Sequence, residues 1–205
     1  MSSKEEILKR YRGNVRERFD MPDLSDLKPV EYADPLVQFV NMSEAVGGRV
    51  IDVDPGRDVN TLIRELFPDA REIASNLPEI SCATRNPDTA AHASDLNGTD
   101  VGVVRGCFGV AENGCIWIPQ QMKEKAVCFI SENLVILLAK SQIVHNMHEA
   151  YRRLSEHDAN SGTELFDDYG YGTFISGPSK TADIAQVLVM GAQAARSATI
   201  LLMPE

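Results

Sequence analysis

The chain has 205 residues, of which 43% are hydrophobic and 24% are charged, with 14 glycines and 10 prolines spread along it. This composition excludes disordered, collagen-like and low-complexity proteins. Thirty acidic residues against twenty basic ones give a formal charge of -10, which disfavours nucleic acid and anionic lipid as partners.

The cysteines and the hydropathy pattern predict the cellular compartment. The four cysteines contain no C-x-x-C pair, which favours thiols in a reducing environment over a disulfide framework. The apolar runs are far shorter than the roughly 20 residues of a membrane span, and the N-terminal residues lack the apolar core of a signal peptide. We therefore expect a cytoplasmic protein with no membrane association.

The N-terminal part of the chain predicts an extension followed by one domain. Apolar residues recur at helical spacing over residues 4–19, whereas residues 21–34 lack periodicity, as is typical of a connector. Helices and strands alternate from Pro35 onward, so we divide the chain into an N-terminal helix and connector, 1–34, and a domain, 35–205. The first elements predicted in this domain are helices over 35–45 and 58–67 and strands over 49–53 and 72–75.

The middle and the end of the chain predict further alternation. Asn113-Gly114 between two apolar runs predicts a β-hairpin over 109–118. The other predicted elements are a loop-rich segment over 76–100, strands over 101–104, 172–176 and 198–202, and helices over 141–155 and 180–190. The last strand, helix and strand resemble a parallel crossover unit, which places the chain in the α/β class.

The turn after the strand at 172–176 is the first candidate site. A glycine turn leading into a helix leaves free backbone N–H groups that bind anions, and Lys180 adds a positive charge there. The alternative is a well-capped helix without a ligand. The predicted anion-binding residues of this turn are Gly177, Ser179, Lys180, Thr181 and Asp183.

The same segment resembles a family signature. The run S-G-P-S-K-T-A-D-I over 176–184 is similar to the G-P-S-[RK]-T-A-D-I signature of the LUD domain, shared by lactate-utilization proteins B and C. The run G-V-A-E-N-G-C-I over 109–116 is similar to the A-[DE]-T-G-[ST] hairpin of this family. Two features depart from the pattern: Asn113 replaces the hairpin threonine, and Gly191-Ala192-Gln193-Ala194-Ala195-Arg196 replaces a frequent H-G-P.

The resemblance, which covers residues 49–205, implies a fold and a role. The implied fold is an open, mostly parallel α/β sheet with flanking helices, similar to the NagB/RpiA/CoA-transferase-like fold. The implied role is that of an accessory or regulatory protein in the oxidation of lactate to pyruvate, with iron–sulfur lactate-utilization proteins as partners. Because the chain lacks ferredoxin-type cysteine clusters, it resembles the C-type members, and we expect no cofactor or metal of its own.

Glu112 supports an alternative from another class of function. Glu112-Asn113-Gly114 is similar to the S-E-N-G turn of family I CoA-transferases, whose glutamate forms an acyl-glutamyl thioester intermediate. This likeness implies a small enzyme or binding protein for CoA or a phosphorylated metabolite, with Glu112 as the catalytic nucleophile. The alternative to that role is an exposed hairpin with an incidental acid.

Three other sets of residues invite a functional interpretation. Arg105 follows a predicted strand, and ligands of open α/β sheets gather where strands end, so we expect Arg105 to meet an anionic small molecule or to pair with a surface acid. His145 and His148 lie three apart on a predicted helix, but without a third ligand we expect no metal site. We interpret Cys107 as a buried thiol. The sequence leaves open whether the protein forms a homo-oligomer.

Overall fold

The computed structural model describes residues 3–15, 17, 19–20, 22–23, 27–159, 171–182 and 187–204. Its helices are α1 (Ser3–Asn14), α2 (Pro35–Ala45), α3 (Val59–Leu66), α4 (Val127–Ile130) and α5 (Met147–Ala159). Its strands are β1 (Arg49–Asp52), β2 (Ile73–Ala74), β3 (Val101–Arg105), β4 (Phe108–Val110), β5 (Ile116–Pro119), β6 (Asn133–Ala139), β7 (Ile143–Val144), β8 (Gly172–Ile175), β9 (Lys180–Thr181), β10 (Val189–Met190) and β11 (Ser197–Met203).

The larger sheet has five parallel strands in the order β1-β11-β6-β3-β2. Its central strands are continuous apolar runs, as expected for a parallel sheet covered on both faces. Successive residues of β6 point to opposite faces: Leu134 and Ile136 pack with Phe39 of α2, while Val135 and Leu137 pack with Ile63 of α3. The predicted α/β class with an open parallel sheet is confirmed.

The smaller sheet has four strands in the order β7-β4-β5-β8 and is mixed. β4 runs antiparallel to β5 and parallel to β7, and β5 runs antiparallel to β8. The prediction that the strand at 172–176 belongs to a parallel crossover unit is therefore wrong. The two strands of that unit lie in different sheets, because β8 pairs with β5 in the smaller sheet and β11 belongs to the larger one. Phe108, Trp117 and Leu154 form the core between this sheet and α5.

Aspartate side chains cap the helices that flank the larger sheet. Asp34 accepts a hydrogen bond from Val37 N at 3.0 Å and precedes Pro35, which fits the first helical position. Asp58 accepts hydrogen bonds from the Thr61 backbone N–H and hydroxyl at 2.8 and 2.6 Å. These bonds satisfy N–H groups that have no partner within the helix, so α2 and α3 are confirmed.

The N-terminal helix is shorter than predicted. α1 ends at Asn14, and residues 17 and 19 are not helical, so the predicted extension of this helix to residue 19 is wrong. None of its residues is buried, and Ile7 and Tyr11 are 64% and 68% exposed. Among the described helices, α1 included, none combines the length and the apolarity that crossing a membrane requires.

Candidate functional site

The tip of the β4–β5 hairpin is fixed against α2. Gly114 N donates to Val110 O at 2.9 Å, and Asn113 Oδ1 accepts from Cys115 N at 3.1 Å. Gly114 has a φ of +65°, and a Cβ placed on it would lie 2.7 Å from Ser43 N of α2. Only glycine fits this position, because the obstacle is backbone and the conformation is left-handed.

Glu112 lies at this tip and caps α5. Its Oε2 atom accepts a hydrogen bond from Met147 N, the first residue of α5, at 2.9 Å, and its backbone N–H donates to His145 O at 3.0 Å. The first N–H groups of a helix lack partners within the helix, and the helix dipole favours a negative charge beside them. The exposed carboxylate of Glu112 therefore stabilises the start of α5 in its ionised form.

The segment that follows β8 packs beside the hairpin tip. Ser176 Oγ donates to Asn113 O at 3.0 Å. A Cβ on Gly177, whose φ is +65°, would lie 2.7 Å from Val46 O at the end of α2. We call residues 112–114, 176–179 and 43–47 the signature junction, because they bring both signature segments onto the end of α2.

The segment from Ser179 onward does not form the predicted helix. Ser179 N donates to Ala195 O at 2.9 Å, and Ser179 O accepts from Gly191 N at 3.0 Å. β9 then pairs antiparallel with β10, so Lys180 and Thr181 lie in a two-stranded ladder. The helix prediction over 180–190 is wrong at these positions, because the pairing with 189–190 replaces local helical bonds.

The prediction of anion binding at this turn thus loses the helix N-terminus on which it depended. The Ser179 N–H has a protein partner, the Lys180 side chain is exposed, and Thr181 is buried. Asp183 lies outside the described residues, and so do the other residues of 183–186. Anion binding by Gly177, Ser179, Lys180 and Thr181 stays a prediction.

Arg105 lies at the carboxyl end of a parallel strand, on the side of the larger sheet opposite to the signature junction. It is the last residue of β3 and forms an ion pair with Glu79, in which both side chains are half-exposed. The signature junction instead meets the amino ends of the parallel strands, since Gly47 precedes β1 and Ala195 precedes β11. The structure therefore does not bring Arg105 together with the turn at Gly177.

The two histidines do not share a helix as predicted. Residues 143–144 form β7 and pair with β4, so His145 precedes α5 and only His148 lies on it. His145 Nδ1 accepts a hydrogen bond from Tyr32 N of the connector at 2.9 Å. Within the described part of the chain, no group of three or more His, Cys, Asp or Glu side chains could hold a metal ion.

Asn146 is a structural residue that the sequence reasoning missed. It is 99% buried; its Oδ1 accepts from Glu149 N at 3.0 Å, and its Nδ2 donates to Val30 O at 2.8 Å. The Glu149 carboxylate in turn accepts from His145 N at 2.7 Å. The signal was present in the sequence, because an Asn followed three residues later by a Glu is a helix-start pattern.

The thiols differ in exposure. Burial raises the pKa of Cys115 and of Cys128 to about 12, so both are neutral thiols at physiological pH. Cys107, which we predicted to be buried, is partly exposed and immediately precedes β4. The strand residue beside it, Phe108, is fully buried instead.

Comparison with known proteins identifies the family. The family model of the LUD domain matches residues 88–203, which is more than half of the chain and includes both signature segments. No curated protein matches the chain. Among solved structures, the fold is similar to the crystal structure of a DUF162 family protein from Deinococcus radiodurans, with a TM-score of 0.62 and 14% identity over 86% of this chain and 100% of that chain. The chain belongs to the LUD domain family, which is linked to lactate utilization in general.

Proposed function

We propose that this protein is an accessory or regulatory component of lactate utilization and acts with iron–sulfur proteins that oxidise lactate to pyruvate. The observation that carries the proposal is that the signature residues form hydrogen bonds with other segments of this same chain. Glu112 caps α5, Ser176 bonds to the hairpin tip, and the Ser179 N–H is bonded to Ala195. These contacts join the two signature segments into one surface feature, which suits recognition by another protein.

The charge of the chain supports docking to a partner. At a formal charge of -10, the protein presents many exposed carboxylates, and complementary potentials speed association and select the partner. The surface that receives this chain on an iron–sulfur partner would therefore be basic. Association of this kind weakens as salt screens the charges. The screening length is about 8 Å at 0.15 M ionic strength.

The alternative function, an enzyme for CoA or a phosphorylated metabolite, has less support. A nucleophilic carboxylate gains reactivity in a partly desolvated pocket, whereas Glu112 is exposed. Its hydrogen bond from Met147 N and the dipole of α5 stabilise the carboxylate in its unreacted form. Reaction at Glu112 would neutralise the charge that caps the helix.

The proposal is tested by reconstituting lactate oxidation. Iron–sulfur lactate-utilization proteins from the same source are assayed for lactate-dependent dye reduction with and without this chain, and with E112Q as the variant. We expect the wild-type chain to raise the rate at least severalfold and E112Q to do so equally. No change in rate would contradict the accessory role. A hydroxamate at Glu112 after treatment with acyl-CoA and hydroxylamine would support the enzyme instead.

A further inference from the structure

The connector that precedes α2 is held onto the domain by a pair of side chains. Residues 30–32, which we call the strap, lie against the start of α5. His145 Nδ1 accepts from Tyr32 N at 2.9 Å, and Asn146 Nδ2 donates to Val30 O at 2.8 Å. The rings of Tyr32 and His145 stack with an interplanar angle of 9° and centroids 6.4 Å apart.

The bond to Tyr32 requires a neutral histidine. A ring nitrogen accepts a hydrogen bond only when it carries no proton, so the tautomer in this contact bears its proton on Nε2. Protonation adds the ring's second proton, at Nδ1. Tyr32 N and His145 Nδ1 are then both donors, so no hydrogen bond forms between them. Histidine gains this proton near neutral pH, unlike the amide of Asn146, which does not titrate.

The charged and titratable groups near His145 come from α5, the hairpin tip and the strap. The carboxylate of Glu149 accepts from His145 N, and the carboxylate of Glu112 accepts from Met147 N in the same helix start. The strap contributes Glu31 and the Tyr32 ring, and α5 contributes the exposed His148.

We propose that His145 and Asn146 form a pH-sensitive clip, which holds the strap when His145 is neutral and releases it when His145 is protonated. One proton opposes one hydrogen bond, so the ratio of held to released strap falls up to tenfold for each pH unit below the titration midpoint. Asp34 caps α2 and marks where the released connector ends. Release therefore detaches about four residues, 30–33, from the domain, which is roughly 13 Å of extended chain.

The clip is tested by nuclear magnetic resonance on the full-length, isotope-labelled chain between pH 8 and pH 5. At pH 7.5 we expect the ring of His145 to carry its proton on Nε2. As the pH falls, the Tyr32 amide signal should move with the same midpoint as the His145 ring. Its protection from hydrogen exchange, corrected for the intrinsic rate, should fall about tenfold per pH unit below that midpoint, while Val103 in β3 stays protected.

Two variants separate the clip from general acid effects. H145Q replaces the accepting ring nitrogen with an amide oxygen, which is also an acceptor for Tyr32 N but does not titrate, so protection of the Tyr32 amide should become independent of pH. H148Q removes the exposed histidine on α5 and should leave the titration of Tyr32 unchanged. A proton on Nδ1 of His145 at pH 7.5 would overturn the proposal, as would a Tyr32 amide that does not follow the His145 ring. The wild-type spectra alone decide these two points if H145Q does not fold.

Discussion

Replacing Gly114 with alanine tests whether the hairpin tip is fixed against α2. A new Cβ would lie 2.7 Å from Ser43 N and 2.9 Å from Met42 C, and neither backbone atom can rotate away. Overpacking of this kind costs about 1–3 kcal/mol. The left-handed conformation at a φ of +65° adds about 1–2 kcal/mol for a residue with a Cβ. Together these two costs should lower the free energy of unfolding of G114A by about 2–5 kcal/mol.

Gly56 provides a matched control for the conformational part of this cost. Its φ is +83°, and a Cβ placed on it would have nothing within 4 Å. G56A should therefore lower the free energy of unfolding by about 1–2 kcal/mol. The difference in stability between G114A and G56A isolates the contact with α2. At about 2–4 °C per kcal/mol for a chain of this size, a packing difference of about 1–3 kcal/mol lowers the melting temperature of G114A below that of G56A by roughly 2–12 °C.

Urea unfolding followed by fluorescence measures both variants against the wild type. Trp117 is the only tryptophan and is 6% exposed on β5, the second strand of the hairpin, so its emission reports loss of this sheet. Equal losses of stability in G114A and G56A would refute the packing of the hairpin tip on α2. The signature junction would then lack its central contact.

Three further predictions follow from the caps and the thiols. E112A should unfold at lower urea than the wild type by about 1 kcal/mol, with E112Q between them, and an unchanged E112A would contradict the cap. Hydrogen bonds from the Thr61 hydroxyl and N–H lower the pKa of Asp58 to about 2, so its stabilisation is complete above about pH 4 and disappears as pH falls through 2. The stability difference between wild type and D58N, measured by urea unfolding, should shrink over that interval; a constant difference would contradict this. Cys115 and Cys128, mapped by mass spectrometry after thiol labelling at pH 8, should react only on unfolding, and rapid labelling of the native protein would contradict their burial.

The sequence predicts the elements whose signals are local. The helices predicted over 35–45 and 58–67 match α2 and α3, and Asn113-Gly114 marks the hairpin. Each of these signals lies within a few residues of the structure that it specifies, because capping and tight turns are short-range interactions. The apolar run at 198–202 likewise predicts a buried strand, which the structure contains as β11.

The sequence does not reveal pairings between distant segments. Residues 180–190 have a helical pattern, but the ends of this segment pair with each other, and Ser179 bonds to Ala195. His145 lies in a predicted helix, yet residues 143–144 pair with β4 and move the helix start to Met147. Tertiary pairing overrides local preference in both places.

In the candidate site, too, the sequence indicates the local segments but not their contacts with distant parts of the chain. Resemblance identified both signature segments, and the structure brings Glu112 and Ser176 into one junction. It places Arg105 at the carboxyl end of β3, whereas the junction lies at the amino ends of β1 and β11, and this separation is a property of the whole fold. The partner of the Glu112 carboxylate, Met147 N, is 35 residues away in the sequence, and no local pattern indicates that contact.

The accessory role is tested most directly by measuring association with the proposed partners. Sedimentation velocity of this chain, labelled with a fluorophore, is recorded alone and with iron–sulfur lactate-utilization proteins from the same source, at 50 and 300 mM salt. We predict that the labelled chain sediments with those proteins at 50 mM salt and dissociates in part at 300 mM. A labelled chain that sediments alone at both salt concentrations, with partners at tens of micromolar, would contradict the account.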